Sequence, residues 1–159
     1  MNKSILAATS LAVAAAAGTG SIASGNAIPQ WYSRLRKPSY QPPRAAFPTV
    51  WTALYGDIAA TSAVTIDRLR ATGQHDKARH YTVALAANLL LNAGWSWLFF
   101  GYHKLGASAV GAAALTASST DLVRRTAQAT PRGGLALLPY PLWCGFATIL
   151  STHIWRLNR

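Results

Sequence analysis

The chain has 159 residues, a length that suits one domain, and it is 51% hydrophobic yet carries a formal net charge of +11. Charged residues make up 12%, about half the roughly 25% usual for a soluble domain; 15 are Lys or Arg, four are Asp and none is Glu. Low charge, high apolar content and cations gathered in short gaps imply a membrane protein. They argue against a nucleic-acid binder, whose cations would form a continuous stripe. The single cysteine, Cys144, lies in an apolar run, which excludes an intrachain disulfide and a cysteine-based metal site.

Five segments approach the roughly 20 apolar residues that a helical span needs. They are residues 4–24, 47–66, 81–100, 105–123 and 135–155, and the predicted fold is an all-α bundle of five transmembrane helices in one domain, 1–159. The first, with a basic start, an apolar centre and small residues after it, also fits a secretory signal peptide. Between it and the second lies a proline-rich loop, 25–46. The remaining gaps, DRLRATGQHDKAR, HK and RRTAQATPR, hold most of the other charge.

Five spans put Lys3, Arg68, Arg70, Lys77, Arg79, Arg124, Arg125 and Arg132 on one side. Arg34, Arg36, Lys37, Arg44, Lys104, Arg156 and Arg159 fall on the other, so the positive-inside bias does not choose an orientation.

At 100° per residue, Phe47, Trp51 and Tyr55 stack along the second segment. Asn88, Asn92, Trp95, Ser96 and Phe99 share a stripe of the third, and Tyr140, Trp143, Ala147 and Ile154 a face of the fifth. Two amides in hydrocarbon need partners. Hydrogen bonds between helices and a polar contribution to a ligand pocket both satisfy that need. Trp51, Trp95 and Trp143 lie within spans and on stripes, whereas Trp155, Tyr81 and Tyr102 read as anchors at the membrane interface.

Asp57, an acid within a span, does not share the face of Trp51 and Tyr55; an acid there points to function, and the plainer alternative is that it is neutral or paired with a polar residue on a neighbouring helix, at a subunit contact for instance. The small-residue pairs Ala107/Gly111, Ser108/Ala112 and Ala14/Gly18 read as helix-packing surfaces, within the bundle or between subunits. The four histidines (75, 80, 103 and 153) lack metal-ligand spacing, and neither a nucleophile triad nor a phosphate loop is visible.

Three stretches in order, WYSRLRKPSYQPP with FPTVWTALY, LLLNAGWSWLFFG, and LLPYPLWCGFATIL, resemble the TspO/MBR family of tryptophan-rich sensory and translocator proteins. The resemblance runs from about Trp31 to Asn158. It implies a retained first helix, a five-helix bundle, commonly homodimeric, and a cavity near one end closed by the first loop. It implies tetrapyrroles such as porphyrin or haem precursors as ligands, among other lipophilic molecules, with no cofactor required and membrane lipid as the surroundings.

By motif position the ligand-binding residues would be Phe47, Trp51, Asn92, Trp95, Ser96, Trp143 and Ala147, and the lid would hold Trp31, Pro38, Pro42 and Pro43. The resemblance thus points to a receptor, sensor or transporter. Alternatives are a scaffold acting through partners, or an enzyme promoting light- and oxygen-dependent porphyrin breakdown through Trp95 and Trp143. The composition fits a bacterial cell membrane.

Departures from the family pattern are Thr152 where sterol-recognising relatives carry Tyr, Ser151 in place of Asn, and Asn88 in place of Gln. The first of these argues against specific sterol binding.

Overall fold

The computed structural model describes residues 2–25 and 28–159. Its helices are α1 (Lys3–Ser24), α2 (Ile28–Arg34), α3 (Ala46–Ala71), α4 (His75–Ser96), α5 (Leu105–Ala129), α6 (Pro131–Leu137) and α7 (Pro139–Leu157), and among the described residues there is no strand. A π-helical turn, Trp97–Gly101, continues α4. The five expected segments are each helical, as α1, α3, α4 with its π turn, α5, and α6–α7, but the described residues form seven α-helices rather than five, because the fifth segment is split in two and α2 is added.

The loop expected over 25–46 is not all loop. It contains α2, one short helix with Tyr32 buried in the bundle; residues 26 and 27 of that stretch lie outside the described residues.

Local chemistry sets the boundaries. The Asn2 side chain accepts the Ser4 N–H at 2.9 Å and caps α1. The α3–α4 turn passes through Gly73 at φ 73°, a left-handed conformation that suits glycine. Pro139 cannot donate to the α6 carbonyls, so one near-continuous rod is broken at Leu138. Pro131 sits at the first turn of α6, where a missing N–H costs little, and it extends the fifth span to an earlier start than Leu135.

Three of these units, Lys3–Ser24, His75–Gly101 and Pro131–Leu157, are long and apolar enough to cross a membrane by composition alone. The other two, α3 and α5, are diluted by hydroxyl residues. Many of those hydroxyls face inward: Ser62, Thr65, Ser108, Ser119 and Thr126 are fully buried. Thr65 donates to the Thr61 carbonyl at 2.8 Å, and Ser108 to the Leu105 carbonyl at 2.8 Å. Meanwhile Leu11, Leu90, Val110, Leu135 and Leu142 point outward, each about 70% exposed. Polar side chains inside and large aliphatic ones outside is the distribution a lipid solvent selects, because lipid rewards exposed leucine and punishes unpaired polar groups.

The α5 seam is a stripe of small and medium residues, Ser108, Ala112, Leu115, Ser119, Leu122 and Thr126, at helical spacing. It packs chiefly along α7. The Ser108/Ala112 pair is thus a packing surface inside the bundle, while Gly111 faces Leu98 and Trp95. Gly134 fixes the approach of α6 to α5, since a Cβ there would lie 2.6 Å from the Ala127 Cβ.

On α1 the buried stripe is Ile5, Thr9, Val13, Ala16 and Gly20. The expected Ala14/Gly18 pair faces away from the bundle, with nothing within 4 Å of a Cβ built on Gly18.

Two sequence expectations are corrected. Tyr81 is not an interfacial anchor: it is 1% exposed and its hydroxyl lies 3.1 Å from Ser62 Oγ and 3.0 Å from Thr126 Oγ1, joining α4 to α3 and α5. Asp57 finds its partner on its own helix, where Thr61 Oγ1 donates to it at 2.8 Å.

Candidate functional site

At the lid end of the bundle the aromatic stripes meet around a cavity of about 370 Å³. Its wall includes Phe47, Pro48, Trp51 and Tyr55 from α3, and Trp95, Ser96, Phe99 and Phe100 from α4 and its π turn. Trp143, Ala147, Leu150, Ser151 and Ile154 come from α7. Six of the seven residues expected to bind ligand therefore line one space.

Helical spacing explains most of this. Phe47, Trp51 and Tyr55 are successive turns of α3, and Trp143, Ala147, Leu150 and Ile154 successive turns of α7. The π turn adds the rest. Its i to i−5 bond, Tyr102 N–H to the Trp97 carbonyl at 2.7 Å, winds the chain more slowly, so adjacent Phe99 and Phe100 both reach the wall.

The rings hold one another in place. Trp51 stacks on Tyr55 with centroids 5.4 Å apart, and Trp95 on Phe99 at 5.6 Å. Phe47 meets Trp143 edge to face at 5.9 Å, and Trp143 lies 5.4 Å from Phe146. Such contacts add about 0.5–1.5 kcal/mol each beyond area burial, which stiffens the wall.

Asn92 is the exception among the expected ligand residues. It does not line the cavity; it is 2% exposed and belongs to a chain of interhelical hydrogen bonds. Tyr55 Oη donates to Asn92 Oδ1 at 2.8 Å, and Asn92 Nδ2 donates to Tyr140 Oη at 3.3 Å. Tyr140 Oη donates to Asn88 Oδ1 at 2.8 Å, and Asn88 Nδ2 to Ser118 Oγ at 3.1 Å. Both amides serve the bundle, and Asn92 reaches the cavity only through Tyr55.

Trp31, Pro38, Pro42 and Pro43 also stay off the wall; the strap, residues 28–45 between α1 and α3 with α2 in it, contributes Tyr32 and Arg44 instead. Trp31 is an anchor for α2, stacked on His103 at 3.9 Å and set edge-on to Phe99 at 5.8 Å. Pro38 and Pro43 open tight turns, their carbonyls accepting from Gln41 N–H at 3.2 Å and Ala46 N–H at 2.9 Å.

Two latches hold the strap to α7. The Asn158 amide clamps the Arg36 main chain, accepting its N–H at 2.9 Å and donating to its carbonyl at 2.8 Å. Tyr40 Oη lies 2.6 Å from His153 Nδ1.

The strap is electropositive. Lys37 Nζ sits 4.3 Å over the Tyr32 ring, and Arg44 lines the cavity nearby. Burial and the neighbouring Arg44 cation pull the Lys37 ammonium below its ordinary pKa, while burial raises that of Tyr32 against the opposing pull of Arg44 and Gln41. All four acids of the chain lie on α3, α4 or α5, and none lines this cavity.

The sequence carried no signal for the α1 wall, formed by Ala17, Gly20, Ser21 and Ser24. These small residues make room. A Cβ on Gly20 would stand 3.0 Å from Ser96 Oγ, so Gly20→Val is expected to cost about 1–3 kcal/mol by overpacking. Thermal unfolding in detergent checks this, and an unchanged midpoint would show that α1 can simply move aside.

Fold and site together define a multi-pass membrane bundle with a lidded aromatic cavity at one end. The chain belongs to the TspO/MBR family, whose sequence model matches residues 8–156. It is 30% identical over 158 residues to Protein CrtK of Rhodobacter capsulatus, covering 99% of this chain and 95% of the relative. It is 32% identical over 161 residues to Tryptophan-rich protein TspO of Chlorobaculum tepidum, covering 99% of both. Similarity to Translocator protein of Homo sapiens is 30% over 129 residues, 81% of this chain and 75% of the relative. Family and composition place the protein in a membrane as an integral component.

Proposed function

We propose that this protein is a membrane sensor or carrier that takes a flat, apolar, carboxylate-bearing molecule of the tetrapyrrole class into the aromatic cavity. One observation carries the reading: three indoles and three phenylalanines form the wall, and the lining cation, Arg44, stands where the strap crosses the mouth. A macrocycle stacks on rings, and a guanidinium fork suits a carboxylate. The cavity is near the small end of the range for ligand sites, so a macrocycle needs the strap to yield as it enters. The same reading takes the outward Leu11, Ala14, Gly18 and Ile22 face of α1 as a surface for a second copy.

Titrating the purified protein with protoporphyrin IX tests the proposal through tryptophan fluorescence. Saturable quenching is expected. Trp143→Ala should weaken binding about tenfold, the loss of roughly one stacked ring contact. Arg44→Gln should weaken it about fivefold, equivalent to about 1 kcal/mol for a screened, exposed pair. That second loss should vanish with the porphyrin dimethyl ester. Absence of saturable quenching in the parent protein removes the tetrapyrrole reading.

A further inference from the structure

At the end of the bundle remote from the strap, a second groove of about 570 Å³ opens between the last turns of α3 and the α5–α6 junction. Its α3 wall is a ladder of Ala60, Val64 and Arg68 at i, i+4 and i+8, with Thr61 beside it. Arg132, at the start of α6, closes the other side. Ala60 and Val64 are exposed, so the ladder offers an apolar strip about 6 Å long that ends, about 6 Å further on, at a cation.

Neither arginine has a carboxylate partner among the described residues. Of the acids at this end, Asp121 is held by Arg124 and Arg125, and Asp67 accepts the Asn2 N–H of α1. Asp76 lies in the first turn of α4. Asp57 is paired with Thr61, and 11 residues of helix, about 16 Å, separate it from Arg68. Two guanidinium groups without a carboxylate partner among the described residues, beside an apolar strip between helices, make a complementary seat for an anionic headgroup with an attached acyl chain. A free phosphate would use the cations and leave the strip bare.

We propose that this groove binds one anionic phospholipid per chain, its phosphate between Arg68 and Arg132 and an acyl chain along Val64 and Ala60. The site is separate from the aromatic cavity and does not depend on what that cavity binds.

Native mass spectrometry of the full chain, released from micelles containing equal phosphatidylglycerol and phosphatidylcholine, tests this. Phosphatidylglycerol is expected to be retained as a single adduct, about tenfold over phosphatidylcholine. Arg68→Gln with Arg132→Gln should abolish the preference. Val64→Trp keeps every charge but fills the groove, so it should lose the adduct as well, and it tests the seat even if the double variant fails to fold. Arg124→Gln removes a cation already paired with Asp121 and should leave the preference intact. Equal retention of the two lipids, or an Arg124→Gln loss as large as that of the double variant, overturns the proposal. Inorganic phosphate displacing phosphatidylglycerol completely would assign the groove to a free anion and overturn it too.

Discussion

Replacing Tyr140 by alanine is expected to destabilise the bundle by about 3–5 kcal/mol, the range for deleting a buried aromatic side chain. Tyr140 is fully buried, its hydroxyl bonds both Asn88 and Asn92, and its ring lies edge-on to Trp51 at 6.4 Å. Alanine would leave a cavity, two unsatisfied amides and a looser Trp51. Phenylalanine separates these effects: it keeps the ring and removes the hydroxyl, stranding Asn88 Oδ1 and one Asn92 N–H.

Interhelical bonds in membranes average only about 0.6 kcal/mol, because the unfolded state also finds partners. Tyr140→Phe is accordingly expected to cost about 1–2 kcal/mol, more than one average bond because both amides lose a partner. Unfolding midpoints in detergent, followed by tryptophan fluorescence, measure both. A Tyr140→Phe protein as stable as the parent would mean that the amide chain contributes nothing net.

Cutting the strap's latches should speed ligand exchange. Asn158→Ala removes both bonds to the Arg36 main chain, and a net contribution of about 1 kcal/mol for each makes the open strap about thirtyfold more populated. Adding Tyr40→Phe, which deletes the bond to His153, should raise this further. If the cavity takes its ligand past the strap, the dissociation rate rises by the same factor in a stopped-flow displacement. The Kd moves less, since opening also speeds entry. Amide hydrogen exchange of residues 35–41 tests the latch without any ligand: faster exchange in Asn158→Ala with unchanged dissociation would show a strap that is fastened there yet does not gate the cavity.

Much of the cavity was legible because helical periodicity is local. Phe47, Trp51 and Tyr55 repeat every four residues, so once α3 forms they must share a face; the same holds for Trp95, Ser96 and Phe99, and for Trp143 and Ala147. Two things hid the rest. Small residues such as Ala17, Gly20 and Ser21 mark close approach but not what is approached. Polar residues carry no label for their partner: Asn92 suits a ligand and a tyrosine hydroxyl equally well, and the position of Tyr140 on another helix decides between them.

The sequence by itself determined the helical spans, the inward aromatic stripes and the need for partners to buried amides, because each follows from spacing along one chain and from hydrocarbon excluding unpaired polar groups. Tertiary structure decided which stripes converge and which strap cation enters the cavity. It sent Tyr81 into the core, turned Asp57 to Thr61, and set Lys37, Pro38 and their neighbours as a strap latched to α7 through Asn158 and His153. Those choices depend on the rotation and separation of whole helices. Packing of many small contacts sets these, and no spacing within a single segment records them.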